Sequence, residues 1–185
     1  MNILYGGAFN PPTIAHFEII KVIKKSFPND RLILLPAGDK YKDGNLIEFK
    51  HRYNMLKILV DKIDSNIIIS DYENKIEKFI GTYYTLKFFR NPHFVIGADQ
   101  LRDLHGWINF NNIIKENKFI VFPRDGIDMH KILSEEPYSK HKNNFILMDN
   151  EELNVSSSDF RFKKQENVLD VDVLNYIKSN NLYEV

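Results

Sequence analysis

The segment Gly6-Gly7-Ala8-Phe9-Asn10-Pro11-Pro12-Thr13-Ile14-Ala15-His16 combines residue types that suit an anion. Paired glycines let backbone N–H groups approach a ligand closely, and a helix beginning near Thr13 adds its own unpaired N–H groups and positive dipole end. His16, one turn into that helix, is a donor whose charge responds to its surroundings. The chemistry this points to is phosphate binding. The spacing matches neither G-x-x-x-x-G-K-[ST] nor G-x-G-x-x-G, which speaks against a P-loop and an ordinary dinucleotide turn. Near the other end, Asn154-Val155-Ser156-Ser157-Ser158-Asp159-Phe160-Arg161 reads as a second helix start. Its hydroxyls can cap N–H groups or donate to an anion, with the fixed charge of Arg161 one turn further on.

Between these ends lie three weaker groups. Val95-Ile96-Gly97-Ala98-Asp99-Gln100-Leu101, then Leu104 and Trp107, puts a glycine, an acid and the chain's only tryptophan in one strand-to-helix connection. A tryptophan there is either a core residue or a broad aromatic face for stacking. Thr82-Tyr83-Tyr84-Thr85-Leu86 reads as helical. Lys40 and Lys42, in the loop after the second strand, are either a source of positive charge for a phosphate or simply solvated, and Arg124, in Phe122-Pro123-Arg124-Asp125-Gly126 after the fifth, sits in what reads as a surface turn.

Short apolar, β-branched runs bounded by turn residues must position these groups: Asn2 to Tyr5, Arg31 to Leu35, Asn66 to Ser70, His93 to Ile96, Lys118 to Phe122 and Asn144 to Met148. Helical spacing fills the gaps, with Ile14, Phe17, Ile20 and Ile23 before Pro28, then Tyr53, Leu56, Leu59 and Ile63 after the charged stretch from Glu48 to Arg52. Val171 to Ser179 reads as a last helix, and Asp125 to Asn143 as a mobile surface excursion. Alternating strands and helices predict an α/β fold with a doubly wound parallel sheet, which binds ligands beyond the carboxyl ends of its strands.

With 185 residues, 43% of them hydrophobic, the chain suits a single domain over residues 1–185. Twenty-five Lys and Arg balance 25 Asp and Glu, so no bulk positive field is available to hold nucleic acid. The absence of cysteine removes disulfides, thiolate nucleophiles and Cys-based zinc sites. No apolar run approaches the ~20 residues of a membrane span, and MNILYGG reads as a strand rather than a signal segment. The expected location is cytoplasmic.

The first motif resembles the signature of the nucleotidyltransferase superfamily, Gly-Gly-x-Phe-x-Pro-x followed by [His/Thr]-x-x-His, with Thr13-Ile14-Ala15-His16 in the last slot. Gly97 to Asp99 with Trp107, Thr82 to Leu86 and the serine-rich segment resemble, in that order, the G-A-D-x-L…W, T-Y-x-x-T-L and I-S-S-T-x-I-R motifs of the nicotinate and nicotinamide mononucleotide adenylyltransferases. The resemblance runs from Gly6 to Arg161. It departs in Thr13, where a first histidine often stands, in Ala15, where glycine is usual, and in the loop Pro36 to Lys42, which lacks the proline pair and histidine.

What the resemblance implies is a Rossmann-like nucleotidyltransferase fold and transfer of AMP from ATP to nicotinate mononucleotide. On that reading Gly6, Gly7, Ala8, Phe9, Thr13, His16, Gly97, Asp99, Ser156, Ser157, Ser158 and Arg161 hold ATP, with His16 and Arg161 acting on the phosphates during transfer. Thr82, Tyr84, Thr85, Trp107 and Arg124 hold the acceptor, and either Lys40 or Lys42 adds positive charge. Mg²⁺ is expected to arrive bound to ATP, because no cluster of acids suggests a metal cage made by the protein. Other acceptors, nicotinamide mononucleotide or phosphopantetheine, and a non-catalytic nucleotide-binding regulator are the alternatives.

Overall fold

The computed structural model describes residues 1–41, 46–152 and 154–184. Its elements run β1 (Asn2–Gly7), α1 (Ile14–Ser26), β2 (Arg31–Pro36), α2 (Phe49–Asp61), β3 (Ile68–Ile69), α3 (Tyr72–Lys75), α4 (Thr82–Phe88) and β4 (His93–Gly97). They continue with α5 (Ala98–Asp103), α6 (Phe110–Glu116), β5 (Lys118–Phe122), α7 (Met129–Ser134), β6 (Phe145–Leu147), α8 (Ser157–Lys163) and α9 (Val171–Ser179). The chain gathers into two compact units, and neither is a continuous stretch. The first holds Met1–Gly6 with Ile80–Leu153, the second Gly7–Phe79 with Asn154–Val185.

In the first unit β1, β4, β5 and β6 pair in that order and run parallel, with Tyr5 opposite Val95, Gly97 opposite Phe122 and Val121 opposite Leu147. In the second, β2 pairs parallel with β3, Ile33 opposite Ile68 and Leu34 opposite Ile69. Strands β2 and β5 are buried along nearly their whole length, as parallel strands covered on both faces must be. Helices carry the chain from each strand to the next, which is the doubly wound parallel α/β arrangement the alternating pattern predicts.

Three expectations shift, each for a local reason. Strand β3 is shorter than Asn66 to Ser70, because Asp64 Oδ1 accepts the Asn66 N–H at 2.9 Å and holds that residue in a turn. Helix α2 starts at Phe49, inside the charged stretch: Phe49 and Arg52 are both buried and lie one turn apart, on the face that Met55, Leu56 and Leu59 continue. The stretch from Asp125 to Asn143 is built rather than loose. Asp128 caps α7 by accepting from the Lys131 N–H, Leu133 is buried, and the buried Tyr138 hydroxyl donates to the Leu101 carbonyl at 3.2 Å.

The core of the second unit joins α2 to the C-terminal segment. Met55 and Leu59 pack with Phe160, Val168, Leu169, Val173, Ile177 and Leu182. Asp170 caps α9 through the Asp172 N–H, and Lys62 reaches both Asp170 and Asp172 at 2.6 Å. Leu59→Ala is expected to cost about 2–5 kcal/mol of stability, because a fully buried side chain loses both its transfer energy and the contacts around the hole it leaves. Phe162→Ala, at a ring 78% exposed, should stay within about 0.5 kcal/mol of wild type. Chemical denaturation of the two variants side by side checks this, and equal midpoints would contradict the assignment of Leu59 to a core.

Candidate active site

In the second unit, the turn after β1 is held from many sides. The Gly7 carbonyl accepts from the Ala37 N–H at 2.9 Å, and the Ala8 carbonyl from Arg52 Nη1 at 3.1 Å. The Asn10 carbonyl accepts from Arg161 Nη1, and the Pro11 carbonyl from the Ser157 hydroxyl at 2.7 Å. N–H and C=O of a trans peptide point in opposite directions, so tying back the carbonyls of Gly7 and Ala8 turns the N–H groups of Ala8 and Phe9 the other way. That is the geometry of an anion-binding turn. Phe9 sits at φ 47°, a left-handed conformation costing a bulky residue about 1–2 kcal/mol. Its buried ring lies 3.2 Å from where a side chain on Gly7 would begin, so a larger residue there would crowd the ring.

Helix α1 begins directly after this turn, with Thr13 as its N-cap. His16 Nδ1 accepts the Thr13 backbone N–H at 2.9 Å and lies 2.9 Å from the Thr13 hydroxyl. An imidazole nitrogen that accepts from an amide carries no proton, so the ring proton of neutral His16 resides on Nε2. The Phe9 ring meets the imidazole edge-on at 5.0 Å. Thr13 is completely buried, so its hydroxyl serves the histidine; Ala15 is buried as well.

At the start of α8, Ser156 and Asp159 form a reciprocal cap: Asp159 Oδ2 accepts from both the N–H and the hydroxyl of Ser156 at 2.7 Å. Lys163 first, and then Ser156, hold the Asp159 carboxyl down at about 2. Ser157 serves the turn, and the exposed Ser158 hydroxyl accepts from Arg161 Nη2 at 3.3 Å. One guanidinium therefore links the turn after β1 to the head of α8. Lys40 is exposed in the loop after β2, and Lys42 lies outside the described residues.

The first unit gathers its own group at the carboxyl ends of its strands. Gly6 lies near the end of β1, Gly97 ends β4, and the Gly97 N–H donates to Gln100 Oε1 at 3.1 Å. A side chain on Gly97 would overlap the Asp99 carboxylate and come within 3.6 Å of Arg124 Cδ, so the glycine lets acid and cation converge over the strand end. Arg124 Nε stands 4.0 Å from Asp99 Oδ2. Glu152 accepts the Gly126 N–H at 3.1 Å and steadies the turn carrying Arg124. Tyr5 feels the charges of both Asp99 and Arg124, and burial keeps its hydroxyl protonated well above the usual tyrosine range, with Arg124 opposing that shift.

The aromatic group forms beside α4. Gly81, at φ 118°, precedes Thr82, and a side chain there would meet Ile108 at 3.3 Å, next to Trp107. Tyr84 is exposed and its hydroxyl accepts from Asn109 Nδ2 at 3.4 Å, while Thr85 is buried. Trp107 is half-buried, its ring 6.3 Å from that of Phe94. Thr82, Tyr84, Thr85 and Trp107 thus belong to one neighbourhood, as Gly97, Asp99 and Arg124 do to another.

Sequence reasoning missed Arg52, Asn10 and Tyr183. Arg52 is fully buried, with Nε on the Ile47 carbonyl at 2.7 Å, Nη1 on the Ala37 carbonyl at 2.6 Å and Nη2 on Asp39 Oδ1 at 3.0 Å. Its signal is a charge on the apolar stripe of α2. Asn10 Oδ1 accepts from the Tyr183 hydroxyl at 2.7 Å and the Ile47 N–H at 3.3 Å; those partners lie 173 and 37 residues away, and no local pattern announces them. Among the described residues no group of three or more His, Cys, Asp or Glu is placed to hold a metal ion, and no helix is long and apolar enough to cross a membrane.

Residues 4–163 match the family model described as cytidylyltransferase-like. A probable nicotinate-nucleotide adenylyltransferase of Acholeplasma laidlawii is 32% identical over 191 residues, covering 100% of this chain and 98% of that protein. The protein of the same description from Clostridium tetani is 34% identical over 195 residues, covering 97% of each. Among solved structures, Plasmodium falciparum nicotinic acid mononucleotide adenylyltransferase complexed with NaAD superposes with a TM-score of 0.80 at 26% identity, over 99% of this chain and 97% of that one. With its turn, helix heads and parallel strand ends in these positions, the chain belongs to the cytidylyltransferase-like family and, within it, to the nicotinate-nucleotide adenylyltransferases.

Proposed function

We propose that this chain transfers the AMP part of ATP to nicotinate mononucleotide, giving the nicotinate dinucleotide and pyrophosphate. The observation that carries this reading is the head of α1, where a histidine with its tautomer set by Thr13 stands beside a turn whose carbonyls are tied back. The full-length relatives named for the same reaction support it.

A phosphate oxygen of the mononucleotide attacks the α-phosphorus of ATP in line; the bond from that phosphorus to the bridging oxygen breaks, and pyrophosphate leaves with the electron pair. The nucleophile is already an anion, so positioning and charge stabilisation are the protein's main tasks. His16 donates from Nε2 to phosphate oxygens as charge moves to the leaving group, and Arg161 with the head of α8 faces the departing pyrophosphate. Gly97 and Asp99 hold the nucleotide. Arg124 takes the acceptor phosphate, and Trp107, Thr82, Tyr84 and Thr85 take the pyridine ring and its carboxylate. Magnesium belongs to this scheme as part of the ATP substrate, neutralising phosphate charge. A cytoplasmic location accords with a reaction that draws on ATP and a chain without cysteine.

Incubation with Mg-ATP and, separately, nicotinate mononucleotide, nicotinamide mononucleotide or phosphopantetheine, following pyrophosphate and product mass, tests the reading. Release with the nicotinate compound alone is expected; release only with another acceptor replaces the substrate, and ATP binding without release from any acceptor replaces the enzyme by a regulator. His16→Ala should lower kcat about 10²- to 10³-fold with the melting temperature retained, and near-normal turnover would remove the histidine from its role. Trp107→Ala should raise KM for nicotinate mononucleotide about tenfold while KM for ATP stays put, the factor for a lost stacking contact of about 1–1.5 kcal/mol. Equal changes in both constants would make Trp107 a packing residue only.

A further inference from the structure

The C-terminal segment enters the second unit in a conformation that needs support. Asn181, Tyr183 and Glu184 all lie in the left-handed region, at φ 49°, 61° and 54°, where residues with side chains persist only if their surroundings hold them. Leu182 anchors the segment in the core. Lys164 Nζ donates to the Tyr183 carbonyl at 3.1 Å, and the Tyr183 ring meets that of Phe160 edge-on at 5.5 Å. What this arrangement delivers is the Tyr183 hydroxyl, 2.7 Å from Asn10 Oδ1.

Asn10 is 2% exposed and directly follows Phe9, the strained residue of the phosphate turn. Its side chain is held by the Tyr183 hydroxyl and the Ile47 N–H, and its carbonyl by Arg161. Phe9 in turn supports the His16 ring at 5.0 Å. A left-handed phenylalanine relaxes once the residue after it can move, so the constraint runs from Tyr183 through Asn10 and Phe9 to His16.

We infer that Tyr183, from the last few residues of the chain, is a positioning residue for nucleotide binding and adenylyl transfer. It acts by donating to Asn10 and so keeping the turn after β1, and the histidine beside it, in the geometry that meets phosphate. Burial raises the Tyr183 hydroxyl well above its ordinary range, with Arg161 and then Arg52 opposing the shift, so the group remains a donor at any pH where the protein works. The inference rests on the proposed reaction for its kinetic part, and on nucleotide binding alone for the rest.

Tyr183→Phe deletes the hydroxyl and keeps the ring on Phe160. Calorimetric titration with Mg-ATP should show Kd raised about five- to tenfold, and kcat/KM should fall at least as far, while the melting temperature drops only by the few degrees that one buried hydrogen bond corresponds to. Leu59→Ala separates positioning from mere folding, because it removes packing from the same core on α2, outside the segment that carries Tyr183: it should lower the melting temperature and leave Kd near wild type. Tyr183→Phe with Kd and kcat/KM within twofold of wild type would overturn the inference, as would Leu59→Ala shifting both constants as much. If the wild-type protein binds Mg-ATP and transfers nothing, the proposed reaction fails while Tyr183 is still judged on Kd; if it binds no nucleotide, both fail.

Discussion

The guanidinium of Arg52 is a permanent charge with no exposed surface, and a charge taken out of water costs several kcal/mol unless its surroundings replace the lost solvation. Here the carbonyls of Ala8, Ala37 and Ile47 and the carboxylate of Asp39 supply that replacement. The demand works in both directions. The four acceptors come from three loops, so satisfying one buried cation brings the turn after β1, the loop after β2 and the approach to α2 to a common point. Gly38 lies within the same convergence, where a side chain would overlap the Glu73 carbonyl, and burial there pushes the Glu73 carboxyl up to about 7, opposed by Arg52. Loops fixed this way are positioned by charge satisfaction, where apolar packing alone would leave them loose.

The same economy governs charge near the candidate phosphate site. A chain of zero net charge has no general field to attract a triphosphate, so its positive character must be local. Arg161 is held against Asn10 and Ser158, and Arg52 sits behind the Ala8 carbonyl, so both cations are fixed before any ligand arrives. Preset charge and preset donors lose little entropy on binding and need no reorganisation during transfer, which is where electrostatic catalysis gains most.

The strand and helix order was legible in the sequence because buried parallel strands are continuous apolar runs, and Lys118 to Phe122 and Val171 to Ser179 have the boundaries their patterns predict. The local structure at both ends of the candidate phosphate site was legible too, since glycines before a helix and a serine-rich cap are short-range signals. The supports behind them were not. Arg52 looks like one more charge in a charged stretch, and only its spacing from Phe49 and Met55 hints at burial. The bond from Tyr183 to Asn10 joins residues near opposite ends of the chain, and nothing in either neighbourhood encodes it. Asp125 to Asn143 misled because polar residues dominate it by number, while Leu133 and Tyr138 decide where it goes.

The departure at Thr13 from the family motif is explained by which atoms carry the interaction. The contact that sets the His16 tautomer comes from the backbone N–H of Thr13, which any residue but proline supplies. The threonine hydroxyl, also 2.9 Å from Nδ1, adds to that contact without being required for it. A second histidine at position 13 would bring a further titratable group; threonine keeps the helix cap without one. Because the acceptor in the proposed reaction is itself an anion, that head needs a donor of fixed direction and no strong base, so a motif reduced to one histidine still meets the chemical requirement.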